Sequence, residues 1–457
     1  MKTFLGGLSA IVAMGLVVPA NAEDAQGQWS GVIAGQLTVV LDVSKSADGQ
    51  WQATLASPSQ SFSSKVEQLN TDATHLSFAL PKLQASYQAA WDDQAKAWTG
   101  TWTQGQKAPL TLKRVQPGAA AVTAPSRPQE KAIAAAAATY TSEEVKFASS
   151  AAGVQLAGSL SLPKGAGPWP AVVLVHGSGP NTRDEEVFGH KIFLVLADHL
   201  VRQGIAVLRY DKRGIGASSG DYKIATTHDF ADDAQAAVNF LRTRPEINTR
   251  HLGIIGHSEG GLIAPMVAAR APQLGFVVLM AGPGVRGELL MVEQLAYHSE
   301  GDKAARQRAM NQAMLAAIVA ERDPEQARIK AQAILEQGER DDLVVQGAAA
   351  LEAKTFTTPW FRTFLSLEPG PALRAMRQPV LALNGELDRQ VPAKLDLDAM
   401  RIALANNPRA VVKELPKLNH LFQTATTGAP AEYGQIEETL APSALAVMSD
   451  WIRSQVQ

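Results

Sequence analysis

The residues with the clearest chemical potential lie in Gly256-His257-Ser258-Glu259-Gly260, inside the run IIGHSEGG. The preceding LGII is apolar like a buried strand, and the following GLIAPMVAAR reads as a packed helix. A serine between small residues, where a strand turns sharply into a helix, is a nucleophile elbow. The small neighbours tolerate strained backbone and leave the hydroxyl exposed, and the helix N-terminus favours negative charge developing there. The bland alternative is a Gly-rich turn in which Ser258 only caps the helix.

A serine hydroxyl is inert at neutral pH unless a base takes its proton and a third group orients that base. On a strand–helix scaffold these partners follow in the order Ser, acid, His. The apolar PVLALNG runs into Glu386-Leu387-Asp388-Arg389, so Asp388 is the favoured acid and Glu386 its competitor. Of the 9 histidines only His420, in LPKLNHLF, lies beyond the acid, which makes it the expected base. Acyl transfer also needs N–H donors for a tetrahedral oxyanion. The backbone N–H of Glu259 is one candidate. The second comes from His176-Gly177-Ser178-Gly179-Pro180 after AVVLV, with Ser178 preferred and Gly177 left open. His176 is expected to hold that loop. Arg183-Asp184-Glu185-Glu186 reads as a solvated loop leading into a helix. His190, His199, His228, His251 and His298 lack metal-ligand spacing, so neither a metal nor a cofactor is expected.

The elements that must position these groups alternate from Tyr140 onward. Strands are expected at 154–162, 170–175, 205–210, 252–256, 275–280, 379–383 and 410–415, and helices at 186–203, 229–243, 258–270 and 442–455. Fully apolar strands such as PAVVLV suit a largely parallel sheet covered on both faces, an α/β fold. Between Met280 and Pro379 the pattern is helical only, with helices expected at 303–321, 324–337 and 341–353. An insertion of this size, about 285–372, would form a cap over the strand ends. Its Met291, Met310 and Met314 are expected to pack against the domain below rather than line an acyl pocket.

Residues 27–115 differ. Five of the 8 tryptophans (Trp29, Trp51, Trp91, Trp98, Trp102) fall there, among short alternating runs separated by turn clusters. This reads as an all-β sandwich or small barrel whose tryptophans pack its interior. Residues 116–139, rich in Ala and Pro, read as a linker.

The N-terminus carries Lys2, an apolar stretch from Phe4 to Val18, and Ala20-Asn21-Ala22 before Glu23. That is the layout of a secretory signal peptide cleaved after Ala22, which implies export to the periplasm or medium and no transmembrane segment in the mature chain. With 42 Lys+Arg against 44 Asp+Glu, no basic excess exists for nucleic acid. Removing residues 1–22 takes away Lys2 and no acid, so the mature chain is slightly more acidic still. Zero cysteine excludes a disulfide scaffold, a thiolate zinc site and a Cys nucleophile together.

Taken together, HGSGP after a strand, YDKRGIGAS at residues 210–218, GHSEGG, LNGELDRQVP and the late Asn419-His420 resemble the α/β-hydrolase superfamily. The resemblance is strongest to secreted bacterial serine esterases related to dienelactone hydrolases and prolyl-oligopeptidase-type peptidases, and it covers roughly residues 140–457. It implies Ser258 as nucleophile, Asp388 as orienting acid and His420 as base, with Asp211-Lys212-Arg213-Gly214 as a scaffolding turn. Dienelactone hydrolases proper use Cys, which this chain lacks. The expected activity is therefore hydrolysis of a small-molecule carboxylic ester, with a peptidase of the oligopeptidase type as alternative. A non-catalytic envelope-binding protein is the remaining reading, and the sequence leaves the oligomeric state open.

Overall fold

The computed structural model describes residues 25–33, 37–46, 48–57, 62–83, 85–104, 106–115, 126–136, 139–297 and 299–456. The signal-peptide reading (1–22), most of the linker and His298 lie outside the described residues. The chain forms two compact units, an N-terminal β unit and a larger α/β unit.

The β unit is one nine-stranded antiparallel sheet of β1 (Gly27–Ile33), β2 (Leu37–Lys45), β3 (Trp51–Ser57), β4 (Phe62–Lys65), β5 (Glu67–Thr71), β6 (His75–Leu80), β7 (Ala85–Asp92), β8 (Ala97–Gln104) and β9 (Gln106–Arg114). Its order, β4-β3-β2-β1-β9-β8-β7-β6-β5, is a meander closed across its middle by the pairing of the first strand with the last. Trp29, Trp98 and Trp102 are buried, and Trp29 meets Trp91 and Trp98 edge-on at 5.9 and 6.0 Å. The Tyr87 hydroxyl lies 3.0 Å from the carbonyls of both Trp98 and Leu110. These aromatic residues pack the interior, where ring contacts add to area burial.

The larger unit starts with α1 (Pro128–Ala135), inside the stretch read as a linker. Arg127 donates to the carbonyls of Phe188, Gly434 and Ile436, while Gln129 exchanges hydrogen bonds with Thr439 and Leu440. The helix is thus tied down by its polar flank. There follow β10 (Tyr140–Ala148), β11 (Gln155–Pro163), β12 (Trp169–Val175), the hairpin β13 (Glu186–Val187) and β14 (His190–Lys191), then α2 (Ile192–Arg202), β15 (Ala206–Tyr210), α3 (Thr227–Arg242), β16 (Ile247–His257), α4 (Glu259–Arg270) and β17 (Phe276–Met280). Six helices come next: α5 (Gly287–Ala296), α6 (Gly301–Ala320), α7 (Pro324–Arg340), α8 (Ala349–Phe356), α9 (Pro359–Ser366) and α10 (Pro369–Ala375). The unit ends with β18 (Val380–Gly385), α11 (Ala393–Ala403), β19 (Ala410–Leu415), α12 (Pro430–Tyr433) and α13 (Pro442–Val456).

The main sheet has the order β10-β11-β15-β12-β16-β17-β18-β19; β11 runs antiparallel to both its neighbours, β10 and β15, and the strands from β15 to β19 are parallel. Because strand side chains alternate, β12 divides between two cores. Ala171, Val173 and Val175 pack with Phe230, Ala234, Ile263 and Val267 of α3 and α4. Val172 and Leu174 pack with Phe193, Leu196, Leu445 and Met448 of α2 and α13. A strand apolar on every position is the consequence of covering both faces.

Three local readings are corrected. The helix expected from Glu186 begins only at Ile192, because Phe188 and Gly189 take positive φ (51° and 79°) and turn 186–191 into a hairpin. The helix expected over 341–353 starts only at Ala349. Asp342 and Gly347 have φ of 57° and 81°, and the N–H groups of Leu343 and Val344 return to the Gly338 carbonyl. Strand β10, unread in the sequence, pairs with β11 along its whole length.

Candidate active site

Parallel strands put their carboxyl ends on one edge of the sheet, the usual location of sites in open α/β sheets. Val175 of β12 is level with Gly256 of β16, His257 with Met280 of β17, and Gly385 of β18 with Leu415 of β19. The loops carrying Gly177-Ser178, Ser258, Asp388 and His420 therefore all leave from that edge.

Ser258 has φ 53° and ψ −118°, a strained conformation for a residue with a side chain, and it is the partly exposed member of an otherwise buried turn. The glycines explain how the turn closes. A Cβ on Gly256 would lie 1.9 Å from the Gly260 carbonyl oxygen, and one on Gly260 would lie 2.0 Å from the Val175 oxygen. Only glycine lets strand, turn and helix approach this closely. Glu259 is the first residue of α4, so its N–H is among the donors without an intrahelical acceptor.

Asp388 is buried and its Oδ2 lies 2.7 Å from Nδ1 of His420, itself buried. The other carboxylate oxygen accepts the N–H groups of Gln390 and Val391, both at 2.8 Å. Glu386, the competing acid, is exposed and accepts the Lys417 N–H instead. The His420 loop is pinned by Asn419, whose Oδ1 accepts from the N–H of Leu421 and of Gln423, both at 3.0 Å. Asn419 is fully buried.

The loop after β12 is anchored from behind. The Gly177 carbonyl accepts from Lys212 Nζ at 2.7 Å and from Asn181 Nδ2 at 3.0 Å. In a trans peptide the N–H of the next residue points opposite to that carbonyl, so the Ser178 N–H faces away from Lys212. The Gly177 N–H is taken by Glu185 Oε1. A Cβ on Gly177 would lie 3.0 Å from that of Ser258, so this loop abuts the elbow. Lys212 also pairs with the Glu259 carboxylate at 3.2 Å, with both side chains buried. Glu259 further accepts from Thr227 Oγ1 and Trp360 Nε1, each at 2.7 Å. The scaffolding turn thus reaches the loop after β12 and the elbow at once.

The solvated reading of residues 183–186 is corrected. Arg183 forks onto Asp211, Asp184 pairs with Arg209, and Glu185 is 1% exposed. Its Oε1 faces Nδ1 of His257 at 3.2 Å, and Nε2 of His257 faces the His420 carbonyl at 3.0 Å. Burial would lower the His257 pKa, but the Glu185 carboxylate and these hydrogen bonds outweigh it and raise it above the ordinary histidine value. At His176 the pull of Glu185 and Asp211 does not offset burial. His176 packs against Phe193 and Tyr210, and burial pushes it down to about 4. The sequence assigns neither Glu185, within its charged run, nor Asn419, beside His420, a role of its own. A carboxylate within a charged run carries no sign of burial, though the Asn beside His420 does suit a turn-forming residue.

Over this region α5–α9 form a core in which Met314, Leu315, Ile318 and Leu335 pack with Leu262 of α4 and Val391, three residues after Asp388. Met291 belongs to this core, whereas Met310 and Met314 also line a cavity of about 810 Å³. Its walls are cap residues, including Leu295, Gln307, Asn311 and Phe356. Among the described residues no helix is long and apolar enough to cross a membrane.

A family model described as serine aminopeptidase, S33, matches residues 168–421, more than half of the chain and every strand end considered above. The chain belongs to this family of α/β hydrolases. It is also 40% identical over 142 residues to esterase EstD of Thermotoga maritima. That match takes in 31% of this chain and 34% of EstD, so the chain spans about a third of the length of that relative. Among solved structures it resembles a Pyrococcus furiosus esterase (TM-score 0.44, 14% identity, 69% of this chain and 91% of the other). Proline iminopeptidase of Mycobacterium smegmatis gives a TM-score of 0.42 at 14% identity, over 68% and 98% of the two chains.

Proposed function

We propose that the protein is an exported serine hydrolase acting on small carboxylic esters. The observation that carries this reading is the His420–Asp388 bond of 2.7 Å on the same sheet edge as a strained, partly exposed Ser258. In this mechanism Ser258 Oγ attacks the ester carbonyl and His420 Nε2 takes its proton. Asp388 holds the Nδ1–H tautomer and stabilises the imidazolium that forms. The oxyanion is met by the N–H groups of Glu259 and Ser178. Engagement of the Gly177 N–H by Glu185, and the orientation of the Gly177 carbonyl toward Lys212, support Ser178 over Gly177 as the second donor. Collapse of the intermediate expels the alcohol, which receives the proton from His420. Water activated by the same histidine then releases the acid.

The ester preference draws support from the EstD likeness, and the family description keeps a small-peptide amide as the second reading. Export rests on the N-terminal leader pattern. A panel of short-chain aryl esters beside aminoacyl aryl amides tests the choice: turnover of the esters supports it, and turnover confined to the amides overturns it.

A further inference from the structure

We propose that Glu185 and His257 form a buried carboxylate–imidazolium pair that fixes the loop after β12 and the His420 loop against the elbow, making both positioning residues for hydrolysis. The proposal rests on the triad reading above. Three chain segments meet at this pair. His257 ends β16 beside the nucleophile, Gly177 follows β12, and His420 follows β19.

The protonation state follows from the partners. His257 Nε2 faces a backbone carbonyl, which can only accept, so Nε2 carries a hydrogen. Glu185 Oε1 receives the Gly177 N–H and also faces His257 Nδ1. An ionised Glu185 facing a doubly protonated His257 satisfies both contacts, and their mutual attraction outweighs burial, holding the carboxyl below and the imidazole above their ordinary ranges. Both side chains are buried, 1% exposed for Glu185 and 3% for His257, and such a pair persists only when hydrogen bonds offset desolvation.

The consequences for the reaction are geometric. The bond to Glu185 occupies the Gly177 amide, so the adjacent Ser178 amide is the one presented to the oxyanion. The bond from His257 holds the backbone of the base itself. The His257 and His420 rings are 5.0 Å apart, so the cationic end of the pair faces His420 while Glu185 lies on the opposite, Nδ1 side. The other ionisable groups acting on the pair are Asp388, His176 and, through His176, Lys212 and Asp211.

The test uses the full-length chain with a short-chain aryl ester. Glu185→Gln keeps the shape and an acceptor for Gly177 but removes the charge. The double variant Glu185→Gln/His257→Gln removes both charges, so a folded protein is available even if the single change is poorly tolerated. Active-site titration with a fluorophosphonate normalises each preparation to competent sites. The expected result is a fall in kcat of about tenfold to a hundredfold at nearly unchanged KM. A kcat per titrated site within twofold of wild type overturns the proposal. If the wild type neither titrates nor turns over ester, the triad reading itself has failed, a distinguishable outcome.

Discussion

Lys212 Nζ lies 3.2 Å from the Glu259 carboxylate and 2.7 Å from the Gly177 carbonyl, so one buried cation joins the elbow to the loop facing it. The turn that supplies Lys212 is held in turn by Arg183 on Asp211. These contacts and the Glu185–His257 pair make the region around Ser258 a closed polar network rather than a set of independent loops.

Breaking that ion pair on one side leaves a buried charge uncompensated. Lys212→Met is expected to cost about 3–5 kcal/mol in unfolding free energy, read from denaturant midpoints. The double variant Lys212→Met/Glu259→Gln should recover much of the loss, because no buried charge then remains unpaired.

The two candidate acids separate cleanly. Asp388→Asn can still accept the Gln390 and Val391 N–H groups, but it turns a donor toward His420 Nδ1 and enforces the wrong tautomer. A loss in kcat of roughly ten-thousandfold is expected, with thermal stability little changed. Glu386→Gln should stay within a few-fold of wild type in the same ester assay. A larger loss in the second variant would reverse the assignment.

Only the backbone of Ser178 is used in the proposed oxyanion site. Ser178→Ala should therefore leave kcat and KM within about twofold, whereas loss of an oxyanion donor costs on the order of a hundredfold. Steady-state kinetics on the alanine variant distinguishes a hydroxyl role from an amide role.

Asp396 bears on pH dependence. It accepts the N–H groups of Gly284 and Val285 at the head of the cap, its Oδ2 has no hydrogen-bond partner, and burial pushes its pKa up to about 7. The folded state thus holds this proton more tightly than the unfolded chain. The stability it contributes falls as pH rises from about 4 to about 7, by up to about 4 kcal/mol. Asp396→Asn keeps an acceptor for Gly284 and removes the titration. Its stability gain over wild type should be larger at pH 8 than at pH 5 in urea unfolding.

What could be read in advance follows a physical rule. Ser258, Asp388 and His420 could be proposed from sequence because the first two follow the apolar ends of β16 and β18, and the order Ser, acid, His leaves one histidine beyond the acid. The core strands were legible because β12 and β17 are apolar on both faces. Glu185 was not, since burial of a carboxylate depends on His257 and Gly177, 72 and 8 residues away. The late starts of α2 and α8 were hidden for a related reason. Positive φ at Phe188 and Asp342 turns the chain at single residues and leaves no mark in hydrophobic periodicity. Strand β10 escaped notice because YTSEEVKFA is charged on its solvent side and carries only Val145 and Phe147 inward.

The central claim is that Ser258 is an activated nucleophile. Reaction of the full-length protein with a fluorophosphonate, followed by peptide mass spectrometry, tests it most directly. The account predicts one adduct per chain, located on Ser258, with labelling abolished by Ser258→Ala and strongly slowed by His420→Ala. A folded wild-type protein that remains unlabelled, or labelling that persists in Ser258→Ala, would contradict it.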